Sequence, residues 1–398
     1  MKICFVPTMF PKYKGDYYGS FVFDDARMLV ENGFEVHVVT QHNPGIPYQE
    51  IMDGIHVHRF KWLEPKEFKA LVHFDGLTDY FRLLTYLISL FFNLLRIIRK
   101  YDIDIIHAHS VVPTGLIGTI VAKIVRKPII ITGHGMDITN FENSYFFKKL
   151  ILFSLNNCNK TIAVSEDLAQ KMKSLGIHQS NISVLRNGVD TTRFKPLKNK
   201  DLREKYKIKD KEILTLFVGY LDTFKGIFEM INTFNKIKKD NDAAKLMIVG
   251  TGPKKSELQN RVHDLGLEKS VIFTGNVEPE NIQKYYQAAD IFVLPSHVDS
   301  GGPPLVFMEA MACGLPVIGT NVGGIPEGIE NGVNGFIVPP RNVDKLAKKL
   351  EILIKDENLR KEFGNNSLRK VNENSMTLEK KAGKLINLYR NQIKNHSK

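Results

Sequence analysis

The stretch from Leu294 to Thr320 constrains the fold most, because a strand, a glycine-rich loop, a helix and a second strand follow one another within it. The short apolar run Ile291–Leu294 is typical of a buried parallel strand. Pro303-Pro304 predicts a helix start, since proline there forfeits no intrahelical hydrogen bond. Gly314 ends the helix, and Val317–Gly319 returns to the sheet. The pattern predicts one strand–loop–helix–strand unit of a parallel α/β sheet.

The helix predicted between these limits is apolar on every side except at Glu309, so we expect it to be buried. A buried carboxylate is costly unless a partner neutralises it or donates hydrogen bonds to it. That partner is either an internal cation or the diol of a ribose. Ahead of the helix, Gly301 and Gly302 let backbone N–H groups approach a ligand, and the helix N-terminus favours an anion. These features together predict a nucleoside-diphosphate pocket.

The same segment resembles the donor-binding signature of the retaining glycosyltransferases of family 4, which have the GT-B fold. That signature reads approximately E-G-F-x-L-V-x-x-E-A-M-A-x-G-x-P-V. Glu309 matches the second glutamate, which family members use on the nucleotide ribose. Gly301 stands where the first glutamate would be, and the nearest acid is Asp299. Asp299 either reaches the hydroxyls of the donor sugar or is a solvated loop residue, and the sequence favours neither.

A second phosphate-binding candidate, Lys225, follows the apolar strand Ile213–Gly219 at a strand-to-helix turn. It is placed to meet a phosphate as a point charge, although a solvated lysine at a helix start is the plainer explanation. The resembling family has G-R-x-x-x-x-K-G here, so Lys225 matches the lysine and Tyr220 replaces the arginine. The resemblance implies donor binding by residues around these turns: Asn187, Gly219, Tyr220, Gly250, Gly252, Asp299, Gly301, Gly302, Pro303, Pro304 and Leu305.

The first half of the chain alternates strand, loop and helix from Lys2 onward, which predicts a doubly wound α/β sheet. The resemblance places the first loop, with Gly15, Gly19 and Ser20, on the acceptor side, although turn glycines without such a role are equally common. His134 follows a predicted strand between two glycines. Its ring either faces a ligand or caps the local backbone, and the resemblance favours a place near the donor sugar, making it a catalytic candidate with Lys225 and Glu309.

Two further histidines, His107 and His109, lie at a strand end, and we expect them to be structural because no third ligand is spaced for a metal site. The string Arg186-Asn187-Gly188-Val189-Asp190 matches the interdomain segment of the resembling family. We therefore expect an N-terminal domain over residues 1–190, a nucleotide-sugar domain over 191–375, and a helix over 376–398 that crosses back. The resemblance implies that these two Rossmann-like domains face each other across a cleft.

Composition narrows the class of protein. The 398 residues are 43% hydrophobic and 25% charged, as in a soluble globular protein, and the net charge is +12. Three well-separated cysteines have no metal-ligand spacing and favour a reducing compartment. The apolar run Leu83–Leu95 lies between two arginines and is too short to span a bilayer. It is either a core helix or a helix that rests on a membrane surface.

The resemblance implies transfer of a sugar from a nucleoside diphosphate to the hydroxyl of a glycan or lipid-linked acceptor, with retained configuration. No Asp-x-Asp loop is placed to bridge a diphosphate through a metal ion, so we expect no metal and no cofactor. Arg59, Lys61 and Trp62 suggest a cytoplasmic enzyme that touches an anionic membrane surface. No motif indicates nucleic-acid binding. A non-catalytic sugar-nucleotide binder and an epimerase, which needs acid and base residues at the sugar, stay open as alternatives.

Overall fold

A computed structural model describes residues 1–64, 76–140, 144–373 and 376–396. The chain forms two compact units. The first comprises Met1–Arg186 together with Leu378–Lys398, and the second comprises Asn187–Thr377. The C-terminal segment therefore packs with the beginning of the chain rather than with the residues that precede it.

The first unit contains an eight-stranded sheet in the order β3-β4-β2-β1-β5-β6-β7-β8. Its strands are β1 (Lys2–Pro7), β2 (Glu35–Gln41), β3 (Gln49–Met52), β4 (Ile55–Phe60), β5 (Ile105–His109), β6 (Ile129–Gly133), β7 (Lys160–Ala163) and β8 (Ile182–Val184). All neighbouring strands are parallel except the β3–β4 pair. The central strands β5 and β6 are buried at every residue, which explains why both begin with consecutive isoleucines.

Helices cover both faces of this sheet. They are α1 (Ser20–Glu31), α2 (Leu77–Tyr101), α3 (Leu116–Val125), α4 (Met136–Thr139), α5 (Tyr145–Asn156) and α6 (Glu166–Ser174). Helices α2, α3, α5 and α6 share one hydrophobic core, whereas α1 packs on the other face together with residues 385–389 near the chain end. On that second face a buried ion pair joins Lys381 Nζ to Asp25 Oδ2 at 2.6 Å. This pair fixes the C-terminal segment to α1.

Helix α2 corrects one expectation. It has 25 residues, because Arg82 and Arg96 lie within the helix instead of ending it. Helix α2 is therefore long and apolar enough to cross a membrane, by length and composition alone. Of its most apolar 18-residue window, 28% is buried in the fold. Tyr86, Leu90 and Leu94 are fully buried on its inner side, so that side is part of the core.

The second unit contains a six-stranded sheet that is parallel throughout, in the order β11-β10-β9-β12-β13-β14. Its strands are β9 (Ile213–Val218), β10 (Ala244–Val249), β11 (Val271–Gly275), β12 (Ile291–Leu294), β13 (Val317–Thr320) and β14 (Gly335–Val338). The predicted strand–loop–helix–strand unit around residues 291–320 is confirmed. Strand order reverses between β9 and β12, and ligands of such sheets bind beyond the carboxyl ends of the strands at that point.

The helices of the second unit are α7 (Lys200–Lys205), α8 (Ile227–Lys238), α9 (Lys255–Asp264), α10 (Ile282–Ala288), α11 (Leu305–Ala312), α12 (Ile325–Gly328), α13 (Val343–Lys355) and α14 (Glu357–Glu373). The last helix, α15 (Leu378–His396), belongs to the first unit. Single helical turns lie at Val111–Gly115, Gln179–Asn181, Thr223–Lys225 and Pro279–Asn281. The predicted doubly wound α/β architecture is thus present in both units.

Candidate functional site

The loops after β9 and β12 meet at the reversal point of the second sheet. His297 N donates a hydrogen bond to Phe224 O at 2.8 Å, which joins the two loops. Gly226 has φ +70°, and a Cβ there would lie 1.9 Å from Pro295 O. Only glycine allows this approach, so the sequence Lys225-Gly226 is required to bring the lysine beside the second loop.

Lys225 ends the helical turn Thr223–Lys225 and is half-buried. Burial lowers the pKa of its ammonium, and the negative charge of Asp299 opposes that shift. Among the described residues, no carboxylate oxygen lies within ion-pair distance of its Nζ, which instead lies 5.4 Å from the centre of the Phe224 ring. A partly desolvated cation with no carboxylate in direct contact favours a bound anion.

Glycines of the neighbouring turn allow close backbone contacts. Gly250 has φ +135°, and a Cβ there would lie 2.0 Å from Gly219 O. A Cβ at Gly252 would lie 2.4 Å from Leu221 O. Both glycines are thus explained by packing between the turns after β9 and β10. Gly219 itself would accept a Cβ with ordinary contacts, and the side chain of Tyr220 is 51% exposed.

The loop before α11 is held by the side chain of Asp299 and by the glycine turn after β13. Asp299 Oδ1 accepts a hydrogen bond from Gly301 N at 3.1 Å. A Cβ at Gly323 would lie 2.2 Å from Asp299 O, and one at Gly324 would lie 2.6 Å from Gly301 O. The loop therefore rests directly on the turn after β13. Gly302 and Pro303 are buried, Pro304 is half-buried, and α11 begins at Leu305.

Helix α11 is not buried all round, so that expectation is wrong on one face. Leu305, Val306 and Glu309 are half-buried, and their spacing places them on the same side of the helix. Tyr286 Oη donates a hydrogen bond to Glu309 Oε2 at 2.6 Å. Burial, with the adjacent Glu309 charge, raises the pKa of Tyr286 well above its ordinary value. The carboxylate is therefore oriented by a permanent donor yet stays accessible to a ligand.

In the first unit, His134 follows β6 in a loop organised by Asp137. The Asp137 carboxylate accepts hydrogen bonds from the backbone N–H groups of His134, Gly135 and Val111 at 2.8–3.0 Å. The His134 ring lies 4.8 Å from the Phe21 ring, centre to centre. Burial, with the charge of Lys381, lowers the pKa of His134 to about 3, so the ring is neutral near pH 7.

Sequence reasoning missed the partner of this ring. His109 Nδ1 lies 3.3 Å from His134 Nε2, and the two rings are stacked. His107 is structural, with hydrogen bonds to Tyr389 Oη at 2.6 Å and Thr132 Oγ1 at 2.7 Å. The available signal was the His-x-His pattern at the end of β5, because its neighbour β6 ends at the residue before His134.

Other candidate residues have structural roles in this fold. Gly19 has φ +75° before α1, and a Cβ there would lie 2.4 Å from Met9 O. Gly15 also has a positive φ, and Ser20 is the first residue of α1. Asn187 is the first residue of the second unit. Among the described residues, no group of three or more His, Cys, Asp or Glu side chains is arranged as a metal site.

Two family models match successive parts of the chain. Residues 19–193 match "Glycosyltransferase Family 4", and residues 198–370 match "Glycosyl transferases group 1". The chain belongs to the group 1 glycosyltransferases of family 4. Its resemblance to this family, first seen around residues 294–320, is therefore confirmed.

Two relatives illustrate the range of this glycosyltransferase family. The N-acetyl-alpha-D-glucosaminyl L-malate synthase of Bacillus anthracis is 27% identical, covering 87% of each chain. The UDP-Gal:alpha-D-GlcNAc-diphosphoundecaprenol alpha-1,3-galactosyltransferase of Escherichia coli is 29% identical, covering 76% of this glycosyltransferase and 79% of the relative. The two names specify acceptors of very different chemistry, so membership of the family leaves the acceptor open.

The fold is also found in solved structures. Anabaena HepE, solved in complex with UDP, superimposes with a TM-score of 0.78 at 18% identity, over 98% of this chain and all of that one. The predicted GT-B class of two Rossmann-like domains is confirmed. This glycosyltransferase is thus an enzyme that moves a sugar to an acceptor, and no observation favours a non-catalytic binder or an epimerase.

Proposed function

We propose that this glycosyltransferase transfers a sugar from a nucleoside diphosphate to a hydroxyl of an envelope polysaccharide or lipid-linked glycan, with retained anomeric configuration and without a metal ion. The bond between the anomeric carbon and the diphosphate oxygen breaks, and its electron pair leaves with the diphosphate. The acceptor oxygen bonds to the anomeric carbon, and its proton passes to the released diphosphate or to water.

The single observation that carries the proposal is the state of Lys225. Its half-buried ammonium lacks a carboxylate within ion-pair distance among the described residues, and it lies on a turn joined to the loop before α11. A departing diphosphate gains negative charge, and a cation already desolvated nearby stabilises that charge without reorganising. In this proposal Lys225, the backbone N–H of Gly302 and the first N–H groups of α11 supply the positive potential that a metal ion supplies elsewhere.

Glu309 and His134 have orienting roles in the proposal. The accessible carboxylate of Glu309, held by Tyr286, accepts hydrogen bonds from the ribose diol and thereby fixes the diphosphate. His134 is a neutral ring and therefore offers a hydrogen bond but no charge to the donor sugar. Asp299 Oδ1 accepts a hydrogen bond from Gly301 N of its own loop, so contact of this oxygen with the donor sugar requires the loop to move.

The donor and acceptor classes are proposed by similarity. The Escherichia coli relative is named for a UDP-sugar donor and a diphosphoundecaprenol acceptor, and HepE was solved with UDP. With a lipid-linked acceptor, we propose that the enzyme works at the cytoplasmic face of the cell membrane, where its three free cysteines stay reduced. Arg59 does not provide the membrane contact, because it is buried against Glu50, and the half-buried Trp62 ring packs on Tyr86.

The experiment is a turnover assay of the full chain with a panel of nucleoside-diphosphate sugars, each with soluble glycan and polyprenyl-diphosphate-linked acceptors. We expect nucleotide release that depends on the acceptor, an NMR product spectrum with the anomeric configuration of the donor, and full activity in EDTA. An inverted product would contradict retention. Activity lost in EDTA and restored by manganese would contradict metal independence, and donor binding without turnover on any acceptor would contradict the proposed reaction.

A further inference from the structure

Helix α2 presents an apolar stripe to solvent along most of its length. Phe81, Leu84, Ile88 and Phe92 recur at helical spacing and are 58%, 50%, 50% and 63% exposed, respectively. Side chains three or four residues apart lie on the same face of a helix, so these four form one continuous strip. An exposed apolar strip of this length on a globular unit indicates an interaction surface.

Further exposed aromatic rings lie on a helix of the same face of the sheet. Helix α2 packs beside α3, and α3 packs beside α5, on the same face of the sheet. On α5 the rings of Tyr145 and Phe146 are mostly exposed, and Lys149 Nζ lies 4.4 Å from the centre of the Tyr145 ring. Lys123 Nζ on α3 lies 5.5 Å from the Phe153 ring centre. Apolar surface with lysines beside its aromatic rings is typical of a bilayer interface, where the cation stays at headgroup level.

The exposed charge of these helices is mostly positive, because Asp79, in the first turn of α2, is paired with Arg82. Residues 80–101, 116–125 and 145–156 together contain seven lysines and arginines and no aspartate or glutamate. Arg96, Arg99 and Lys100 are exposed at the C-terminal end of the stripe. Such a surface complements anionic lipid, and two copies of it would repel each other.

The inner side of α2 excludes a spanning arrangement in this fold. Tyr86, Leu90 and Leu94 are fully buried against the sheet, so α2 cannot be surrounded by lipid without exposing the core of the first unit. A helix with one packed side and one apolar, positively flanked side lies in the plane of the interface.

We propose that the exposed face of α2, α3 and α5, defined by Phe81, Leu84, Ile88, Phe92, Tyr145 and Phe146, docks on an anionic phospholipid bilayer. The inference deepens the proposed membrane location and rests on it. The apolar strip enters the headgroup region, and Arg96, Arg99 and Lys100 contact lipid phosphates. A lipid-linked acceptor in that bilayer is then reached by the enzyme without leaving the membrane surface.

The experiment measures flotation of the intact chain with phosphatidylcholine vesicles that contain or lack phosphatidylglycerol, with neither donor nor acceptor present. We expect binding to the anionic vesicles that weakens at high salt. Ile88→Ser should lower the partition coefficient about five- to tenfold, from the apolar area that the isoleucine buries. The double variant Arg99→Gln/Lys100→Gln should lower it about thirtyfold.

Matched controls lie outside the docking face. Ile352→Ser changes an isoleucine of α13 that is 41% exposed, and Lys384→Gln/Arg390→Gln removes two exposed charges from α15. Neither should change binding. Equal binding to neutral vesicles, resistance to alkaline carbonate extraction, or a dimer in lipid-free solution that Ile88→Ser dissociates would overturn the proposal. Turnover that persists without vesicle binding would refute the docking face alone, whereas vesicle binding without turnover would refute the proposed reaction.

Discussion

The candidate residues of the two units differ in charge and in how they are held. His134 in the first unit is a neutral ring stacked on His109, in a unit whose core contains further buried histidines. Lys225 in the second unit is a partly desolvated cation on a glycine turn. A cation that has no carboxylate within ion-pair distance is available to an anionic ligand, whereas a neutral ring offers only a directed hydrogen bond. We therefore expect the second unit to stabilise charge and the first unit to orient a neutral group.

The largest expected difference between the two units is in their stability at acidic pH. Burial lowers the pKa of five histidines in the first unit: His37, His58, His107, His109 and His134. Burial lowers the pKa of His58 to about 4 and that of His134 to about 3, whereas an unfolded histidine has a pKa of about 6.5. The unfolded state therefore binds more protons below pH 6.5, so stability is complete above that pH and falls as the pH drops toward 4.

Each pKa unit corresponds to about 1.4 kcal/mol, so the first unit should lose several kcal/mol of unfolding free energy by pH 4. Of the two histidines of the second unit, His263 is exposed, and His297 is paired with Glu229, its Nε2 lying 3.0 Å from Glu229 Oε2. Hydrogen exchange of the intact chain, corrected for the intrinsic effect of pH, should show protection lost first in residues 1–186. His58→Phe should move that loss to lower pH. Loss of protection at the same pH in both units would contradict this prediction.

The next effect concerns Lys225, where function and stability should separate. Lys225→Met removes a charge-assisted contact with the diphosphate, which is worth roughly 1.5–3 kcal/mol, so kcat/KM should fall about ten- to 150-fold. The folded chain lowers the pKa of this lysine, so its charged form disfavours folding near pH 7, and the variant should be at least as stable as the parent. Steady-state kinetics and thermal unfolding measure the two effects.

A matched control is Lys236→Met, because Lys236 is exposed on α8 and paired with Asp344. It should leave kcat/KM unchanged. A Lys225→Met enzyme with parental kinetics would mean that the ammonium does not face the diphosphate. A large fall in melting temperature would instead show that Lys225 supports the fold through a contact with the protein.

The sequence predicted the strands, the turns and the position of Lys225 at a strand-to-helix turn because each depends on local signals. Short apolar runs ending at glycine or proline indicate buried parallel strands, and glycine turns mark close backbone contacts. Contacts between distant segments gave no such signal. Tyr286 meets Glu309 only because α10 and α11 pack together, and Lys381 meets Asp25 across more than half the chain. The length of α2 was underestimated because charges that flank a run do not by themselves end a helix.

A smaller effect concerns the ribose contact of Glu309. If the carboxylate binds the ribose diol, the parent enzyme should bind a ribonucleoside diphosphate about tenfold more tightly than its 2′-deoxy analogue. Glu309→Ala should bind both equally. Tyr286→Phe should keep part of the preference, because the phenol orients Glu309 without contacting the ribose. Calorimetric titration with the ribo and deoxy forms measures the preference. A preference retained in full by Glu309→Ala would assign the ribose to another residue.

The smallest expected effect concerns the proton of His134, which His109 should control. His109 Nε2 is buried and has no hydrogen-bond partner among the described residues. A buried N–H without an acceptor costs more than a lone pair without a donor, so we expect the His109 proton on Nδ1, donated to His134 Nε2. His134 then carries its own proton on Nδ1, which is the nitrogen left for a ligand.

His109→Phe keeps the stacked ring but removes this donor. It should give a mixed His134 tautomer in ¹⁵N NMR and a fall in kcat/KM of about three- to tenfold. His178→Phe, at an exposed histidine of the same unit, should change neither quantity. A single unchanged His134 tautomer in the His109→Phe enzyme would show that the His134 loop, organised by Asp137, fixes the proton without His109.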